Sequence, residues 1–574
     1  MQRRYPIGAE LVDGGVHFRV WAPSHASLSV VIDGRAFPLE RDGGGYFAGL
    51  VEEARAGTLY RFGDWPDPAS RFQPEGPHGP SMVVDPAYAW QHDNPALRDP
   101  VLYEMHIGTF TPEGTFRAAI EKLPLLKDVG VTLLEVMPVN EFPGRFGWGY
   151  DGVDLWAPTR LYGQPHDFRA FVDAAHAHGL GVILDVVYNH FGPDGCYVSQ
   201  FSDTYFTKKY ENEWGAAVNY DGDGSAGVRE LVSENAAYWI DEFRLDGLRL
   251  DATQTINDAG EEHVIALIAR RAREAANGRH IFLVAENEPQ DVRVVTEYGL
   301  DAQWNDDWHH AARVALTHKR EAYYTDYLGS AHEFVAMARH GFLYQGQWYS
   351  WQKKRRGTPS AHVAPRRLVC FLQNHDQVAN SADGKRIHQL ARHDDLRALT
   401  ALLLLAPQTP MLFQGQEFAA PSPFLYFADH KPELAQLVAN GRREFLQQFK
   451  SITAETPLAP PESLDTFLRS KLDWSARDED AVAFHRQLLR MRWPEERVDG
   501  AVVRDQLFLL RWSSHLLLVN LGDAADLDPV DEPLLAGDWT PSWSSGESMT
   551  ALWKVPGHAA IVMTRGATPA GADR

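Results

Sequence analysis

Eight short apolar runs constrain this chain more than any other feature of its sequence. They are VLYEMHIGTF (101–110), VTLLEVMPV (131–139), GVILDVVYNH (181–190), GLRLDA (247–252), IFLVAEN (281–287), DAQWN (301–305), RLVCFLQNH (367–375) and TPMLFQGQE (409–417). Helical stretches stand between several of them. In DFRAFVDAAHAHG (167–179), Phe168, Phe171, Val172 and Ala175 make one apolar stripe, Asp167 is the expected N-cap and Gly179 the stop. VRELVSENAAYWIDEF (228–243) precedes the fourth run in the same way. Strands buried on both faces read as continuous apolar runs. Eight of them alternating with helices predict an α/β chain built on a (β/α)₈ barrel.

The flanks read differently. GVHFRVWAP (15–23), LSVVIDG (28–34), GYFAGL (45–50) and TLYRFG (58–63) are short alternating strands, as expected of a β-sandwich. The stretch 64–100, rich in proline and glycine, is an irregular arm or linker. AVVRDQLFLLRW (501–512), HLLLVNLG (515–522) and AAIVMTR (559–565) return to strands after Pro494. The expected division is an N-terminal β-sandwich plus arm over 1–95, a catalytic barrel over 96–495 and a C-terminal antiparallel β domain over 496–574, with the tail 566–574 frayed.

Composition excludes several classes of function. The formal net charge is −22, which disfavours nucleic acid and anionic membranes as partners. No stretch of about twenty apolar residues occurs, and the N-terminus has no apolar run after its basic residues, so neither a membrane span nor a secretory signal is expected. Two distant cysteines, Cys196 and Cys370, form no disulfide framework and fit a reducing, cytoplasmic setting.

In a barrel of this type the chemistry lies where the strands end. The runs end in Asp185, Asn189 and His190; Arg249 and Asp251; Glu286; His375 and Asp376; Gln414 and Glu417. One carboxylate at a strand end is readily a helix cap or an ion-pair partner. Three carboxylates, two histidines and an arginine around one cup are harder to assign to structure alone. Crowded carboxylates push one another's pKa values apart, which acid–base chemistry needs. A metal is not expected, because there is no H-x-H or H-E-x-x-H pair and no cysteine cluster. DGDGS (221–225) lacks the rest of a calcium loop. There is no phosphate loop and no G-x-S-x-G elbow, and no cofactor is expected. Two carboxylates, aromatic neighbours and no cofactor suggest glycoside chemistry. Asp251 then suits the nucleophile, and Arg249, on the same face of the strand, favours its charged form.

Four short motifs strengthen this reading: DVVYNH (185–190), GLRLDA (247–252), VAEN (284–287) and QNHD (373–376). In this order, on the third, fourth, fifth and seventh strands, they resemble the α-amylase family of glycoside hydrolases. The resemblance implies Asp251 as nucleophile, Glu286 as general acid/base and Asp376 as the third carboxylate. His190, Arg249 and His375 would line the same sugar subsite. The segments 67–81, 147–158, 186–195, 303–311 and 372–380 are similar to the trehalose-releasing members of that family. They imply hydrolysis of the α-1,4 bond next to the terminal trehalose of a maltooligosyl trehalose, with trehalose as product. On that resemblance Trp148 and Tyr150 would form a stacking wall and Asp151 a further substrate contact. Asp306, Asp307, His309 and His310 would supply hydrogen bonds to the disaccharide, although Asn305 or Asp306 also suits a helix cap. Gln254 departs from the pattern, since a histidine is expected there. A retaining reaction calls for Asp251 and Glu286 carboxyls about 5–5.5 Å apart. A glycogen-branching α-glucan transferase shares this architecture and is the alternative. A binding protein on an inactive barrel would lack the nucleophile or the acid.

Overall fold

In the computed structural model, residues 3–493 and 497–565 are described. The expected boundary at Pro494 and the tail 566–574 lie outside the described residues. Eight parallel strands close a barrel: β1 (Leu102–Met105), β2 (Leu133–Val136), β3 (Gly181–Val186), β4 (Gly247–Leu250), β5 (Phe282–Ala285), β6 (Ala302–Trp304), β7 (Leu368–Phe371) and β8 (Thr409–Phe413). Each falls within one of the eight apolar runs. Neighbours pair in chain order, and β8 closes onto β1 through Met411–Leu102, Leu412–Tyr103 and Phe413–Glu104.

Side-chain parity along these strands sets the site. Leu102, Leu133, Ile183, Phe282, Ala302, Val369 and Met411 belong to one buried cluster that fills the barrel. Two residues further along, on the same face, come Glu104, Glu135, Asp185, Val284 and Trp304, with Arg249 in register beside Asp185 and Val284. One more step gives Asp251 and Glu286. The opposite parity (Tyr103, Leu134, Leu184, Leu248, Leu250 and Leu283) packs outward in the larger core. An apolar plug therefore lies below a polar layer, and the polar layer below the open cup.

The helix after the second run spans Pro165–Ala177. Its four expected apolar positions are buried, but Asp167 is not its N-cap. Gln164 caps it, and Asp167, three residues on, accepts from the Gln164 backbone N–H at 2.9 Å in a capping box. Pro165 at the first turn fixes this earlier start, because its missing N–H costs nothing there.

The N-terminal strands join in the order Gly8–Val12, Gly15–Trp21, Tyr46–Val51, Arg35–Arg41, Leu28–Ile32, Leu59–Phe62 and Ser81–Met82. The sheet bends over itself: Phe18 meets Tyr60 at 4.8 Å and Phe62 at 6.3 Å between ring centroids, from a strand not adjacent to theirs. The proline-rich arm is irregular but packed, with Asp67, Ser70, Arg71 and Gln73 buried. Arg71 donates to Ala69 O and Ile7 O, and its guanidinium lies 4.1 Å from the Trp156 ring and 4.6 Å from the Tyr238 ring. The C-terminal strands Asp499–Arg504, Leu507–Arg511, His515–Asn520, Ala559–Arg565 and Trp539–Ser544 form one antiparallel sheet in that order. It meets the barrel helices through a Phe334–Phe508 stack and a Phe484–Trp543 stack. Among the described residues no helix is long and apolar enough to cross a membrane.

Candidate active site

Arg249 is the hub of the cup. It is 2% exposed, and its Nη1 donates to Asp185 Oδ2 at 2.8 Å and to Asp251 Oδ1 at 2.7 Å. Its Nη2 lies 3.9 Å from Glu286 Oε2. The guanidinium is packed 4.2 Å from the Trp304 ring centroid. A buried cation of this kind is tolerable only with several paired carboxylates, and three neighbouring strand ends supply them. Removal of Arg249 would leave those charges without compensation.

The chain turns sharply after Asp251. Ala252 adopts φ 41° and ψ 48°, a left-handed conformation that costs a non-glycine residue about 1–2 kcal/mol. The turn aims the Ala252 N–H at Glu286 Oε2, 2.6 Å away. Thr253 donates to the Glu286 carbonyl from both its N–H (3.0 Å) and its hydroxyl (2.7 Å). Asn189 Nδ2 reaches Asp251 Oδ2 at 3.4 Å. Burial raises the Glu286 pKa first, and the charges of Asp251 and Asp306 add to it, against Arg249 and the Ala252 N–H. An acid that keeps its proton near neutrality thus stands beside a carboxylate on the neighbouring strand.

The remaining expected residues take different places. Asp376 is the most open carboxylate, with its side chain 55% exposed. His375 stacks on Tyr150 at 5.1 Å and 21°, and the Tyr150 hydroxyl donates to Asp185 Oδ2 at 2.6 Å. Trp148 sits behind them, its Nε1 donating to Leu425 O and its ring edge-on to His375. His190 pairs with Asn189 through Nδ1, and burial lowers its pKa, so it is neutral. Asp151 lies 3.3 Å from His430 Nε2.

In NDDWHH, Asn305 is the N-cap of helix Asp306–Thr317, accepting from the Trp308 N–H at 3.2 Å. Asp307 is wholly taken up by Tyr327, Arg356 and the Tyr344 N–H. His309 stacks on Phe371, and His310 is packed among Tyr323, Tyr324 and Tyr327. Burial holds both rings well below the ordinary histidine pKa, hence neutral. Asp306 faces the carboxylates of the cup, and burial, with Glu288, Asp307 and Asp376, raises its pKa to about 7 against Arg356. Gln414 and Glu417 are not brought to the cup. Gln414 binds the His106 N–H and Thr109, and Glu417 accepts from Tyr103, which ties β8 to β1. Asp221 of DGDGS pairs with Lys209 at 2.7 Å. Among the described residues no group of three His, Cys, Asp or Glu side chains is arranged to hold a metal.

Residues 89–221 match the family model described as the alpha amylase catalytic domain. The chain is 40% identical over 501 residues to the malto-oligosyltrehalose trehalohydrolase of Saccharolobus solfataricus, an alignment covering 85% of this chain and 86% of that protein. This chain belongs to the malto-oligosyltrehalose trehalohydrolase family. A solved structure of a Salmonella typhimurium protein described as an alpha amylase superposes with a TM-score of 0.89 at 36% identity, over 98% of this chain and all of that one. A glycogen-branching relative, the 1,4-alpha-glucan branching enzyme of Prochlorococcus marinus, is more distant, at 26% identity over 75% of this chain and 65% of its own length.

Sequence reasoning overlooked two acids of this trehalohydrolase-family barrel. Glu104 and Glu135 sit opposite each other on β1 and β2, each 1% exposed. Each is the single charge inside an otherwise apolar run, and that was the available signal. It also missed Arg356, which joins Asp307 to Glu288 beside Asp306. A basic hairpin, KKRR, reads as solvated surface until the fold turns one arginine inward.

Proposed function

We propose that this protein hydrolyses the α-1,4-glucosidic bond next to the terminal trehalose of maltooligosyl trehalose, releasing trehalose with retention at the anomeric carbon. The observation that carries the reading is the Arg249 guanidinium, which ties the tip of β4 to the tip of β5 and leaves Asp251 and Glu286 side by side above it. Glu286, protonated, donates to the departing glycosidic oxygen. Asp251 attacks the anomeric carbon and forms a glycosyl-enzyme. Trehalose leaves. A water that gives its proton to Glu286 then opens the intermediate, and the second inversion restores the α configuration. Asp376, His375 and His190 hold hydroxyls of the sugar being transferred, and Tyr150 offers it a ring face, with Trp148 bracing that wall. A cavity of about 760 Å³, lined by Tyr210, Glu211, Asn212 and Thr255, leaves room for glucosyl units beside the cup. Its Asn212 donates to the Asn189 carbonyl at 2.7 Å, which supports a substrate path into the site. Asp306 is the member of NDDWHH suited to substrate contact, with Asp307, His309 and His310 shaping the wall behind it. Both cysteines are free thiols, as suits a cytoplasmic enzyme.

Trehalose-capped maltopentaose and amylose, supplied separately, test the reading. Free trehalose and α-anomeric maltooligosaccharide are expected from the first, and no new α-1,6 linkages from the second. Branches without trehalose would make the protein a glucan transferase, and no product from either would leave a binding barrel.

A further inference from the structure

An acid buried in the middle of a barrel strand is expensive unless both of its oxygens are occupied. Glu104 meets that condition through one residue. Its Oε1 lies 2.5 Å from His375 Nδ1, and its Oε2 accepts from the His375 backbone N–H at 2.9 Å. The carboxylate therefore reaches from β1 across β8 to the end of β7 and fixes both the place and the rotation of the ring. Nε2 is left pointing to the cup, 3.9 Å from Asp376 Oδ1. The Tyr150 ring covers one face, and the Trp148 and Trp304 rings close the sides.

We propose that Glu104 is a positioning residue that holds the His375 imidazole doubly protonated, so that Nε2–H is a permanent charged donor to a sugar hydroxyl. This rests on the proposed role of His375 at the sugar subsite. A carboxylate on one ring nitrogen sets what the other can do. The groups facing the ring agree with the assignment. Glu104 and Asp376 favour the imidazolium, while Arg249 opposes it. His106, at the end of β1, is neutral because burial lowers its pKa to about 3. Glu135, beside Glu104 on β2, is kept protonated by burial and by the Glu104 charge. Desolvation alone would lower the His375 pKa, yet Glu104 and Asp376 overcome it and raise it to about 9. His190, across the cup, lacks such a carboxylate and is neutral. One histidine is then a fixed charged donor, while the other faces the cup as a neutral ring.

Glu104→Gln tests this, since it keeps the shape and a hydrogen bond but removes the charge. Relative to wild type, kcat/KM for trehalose release is expected to come closest to parity at the acid end of the profile, because burial without the Glu104 charge lowers the His375 pKa and the ring then needs acid to hold its second proton. It is expected to fall at least about tenfold by pH 8, the worth of a hydrogen bond to a charged group. Glu135→Gln should give a flat ratio. In ¹⁵N-histidine spectra near pH 7.5, both nitrogens of His375 should be protonated in wild type, and only one in Glu104→Gln. A Glu104→Gln ratio that does not vary with pH, or a wild-type His375 with one bare nitrogen, overturns the proposal. The wild-type spectrum decides the matter if the variant does not fold. It also separates this idea from the activity: a wild type that releases no trehalose would sink the function while leaving the state of His375 to the spectrum.

Discussion

In the proposed reaction Glu286 must carry its proton, and its surroundings favour that form. Burial disfavours the charged form, and Asp251 and Asp306 repel it further. A raised pKa keeps the acid competent through neutral pH, and competence is lost as pH climbs past that value. The alkaline limb of kcat/KM should therefore lie above the ordinary glutamate range, and Asp306→Asn, which removes one of the repelling charges, should move the limb to lower pH. A limb that stays in place in that variant would assign it to another group. The two acids themselves make a sharper test. Asp251→Ala and Glu286→Gln should each lower kcat by on the order of 10³-fold or more while the chain stays folded, because Arg249 keeps Asp185 as a partner in both. Near-normal turnover in either, measured as trehalose released, would mean the wrong residue had been chosen.

The strands carry that chemistry only if they approach closely enough for one guanidinium to serve three of them. Gly247, at the start of β4, permits this. A Cβ there would lie 1.9 Å from the Phe282 carbonyl oxygen on β5. Gly247→Ala must push the two strands apart, and a loss of about 3 kcal/mol or more is expected in urea unfolding, together with lower activity. A variant with wild-type stability would show that β4 and β5 can shift without cost. The elements were legible in the sequence wherever a pattern was sustained. All eight barrel strands lay in apolar runs, and the stripe of helix Pro165–Ala177 was visible in Phe168, Phe171, Val172 and Ala175. What escaped were features set by contact rather than by pattern. Gln164 caps the helix because Asp167 reaches back to it. Strands Arg35–Arg41 and Trp539–Ser544 were missed because both are largely exposed, the first burying only Leu39 and the second only Trp539, so neither reads as an apolar run. In the candidate site, strand ends gave Asp251, Glu286, Asp376 and Arg249 directly. Glu104 was not legible as a partner of His375, since 271 residues separate them and only barrel closure brings β1 near the tip of β7.

At the scale of the whole molecule, one hydrophobic cluster runs from Val16 and Phe18 of the N-terminal sheet, through the barrel helices, to Phe508, Leu517 and Val562 of the C-terminal sheet. Parts joined by a large apolar interface do not unfold independently, unlike parts joined by a polar linker. The arm strengthens the joint. Arg71 is buried against Tyr5, Trp156 and Tyr238, while the Tyr5 hydroxyl donates to Asp241 at 3.0 Å and the Tyr46 hydroxyl to Glu230 at 2.6 Å. Calorimetry should therefore show one endotherm for the full chain. Arg71→Ala loses a desolvated cation–π cluster and two hydrogen bonds, on the order of 2–4 kcal/mol. Because the lost contacts lie at the joint, they should lower that single transition as a whole, with trehalose release lost over the same range of temperature. An early shoulder in Arg71→Ala, with activity surviving above it, would mean that the N-terminal sheet melts alone and that the barrel holds its cup without it.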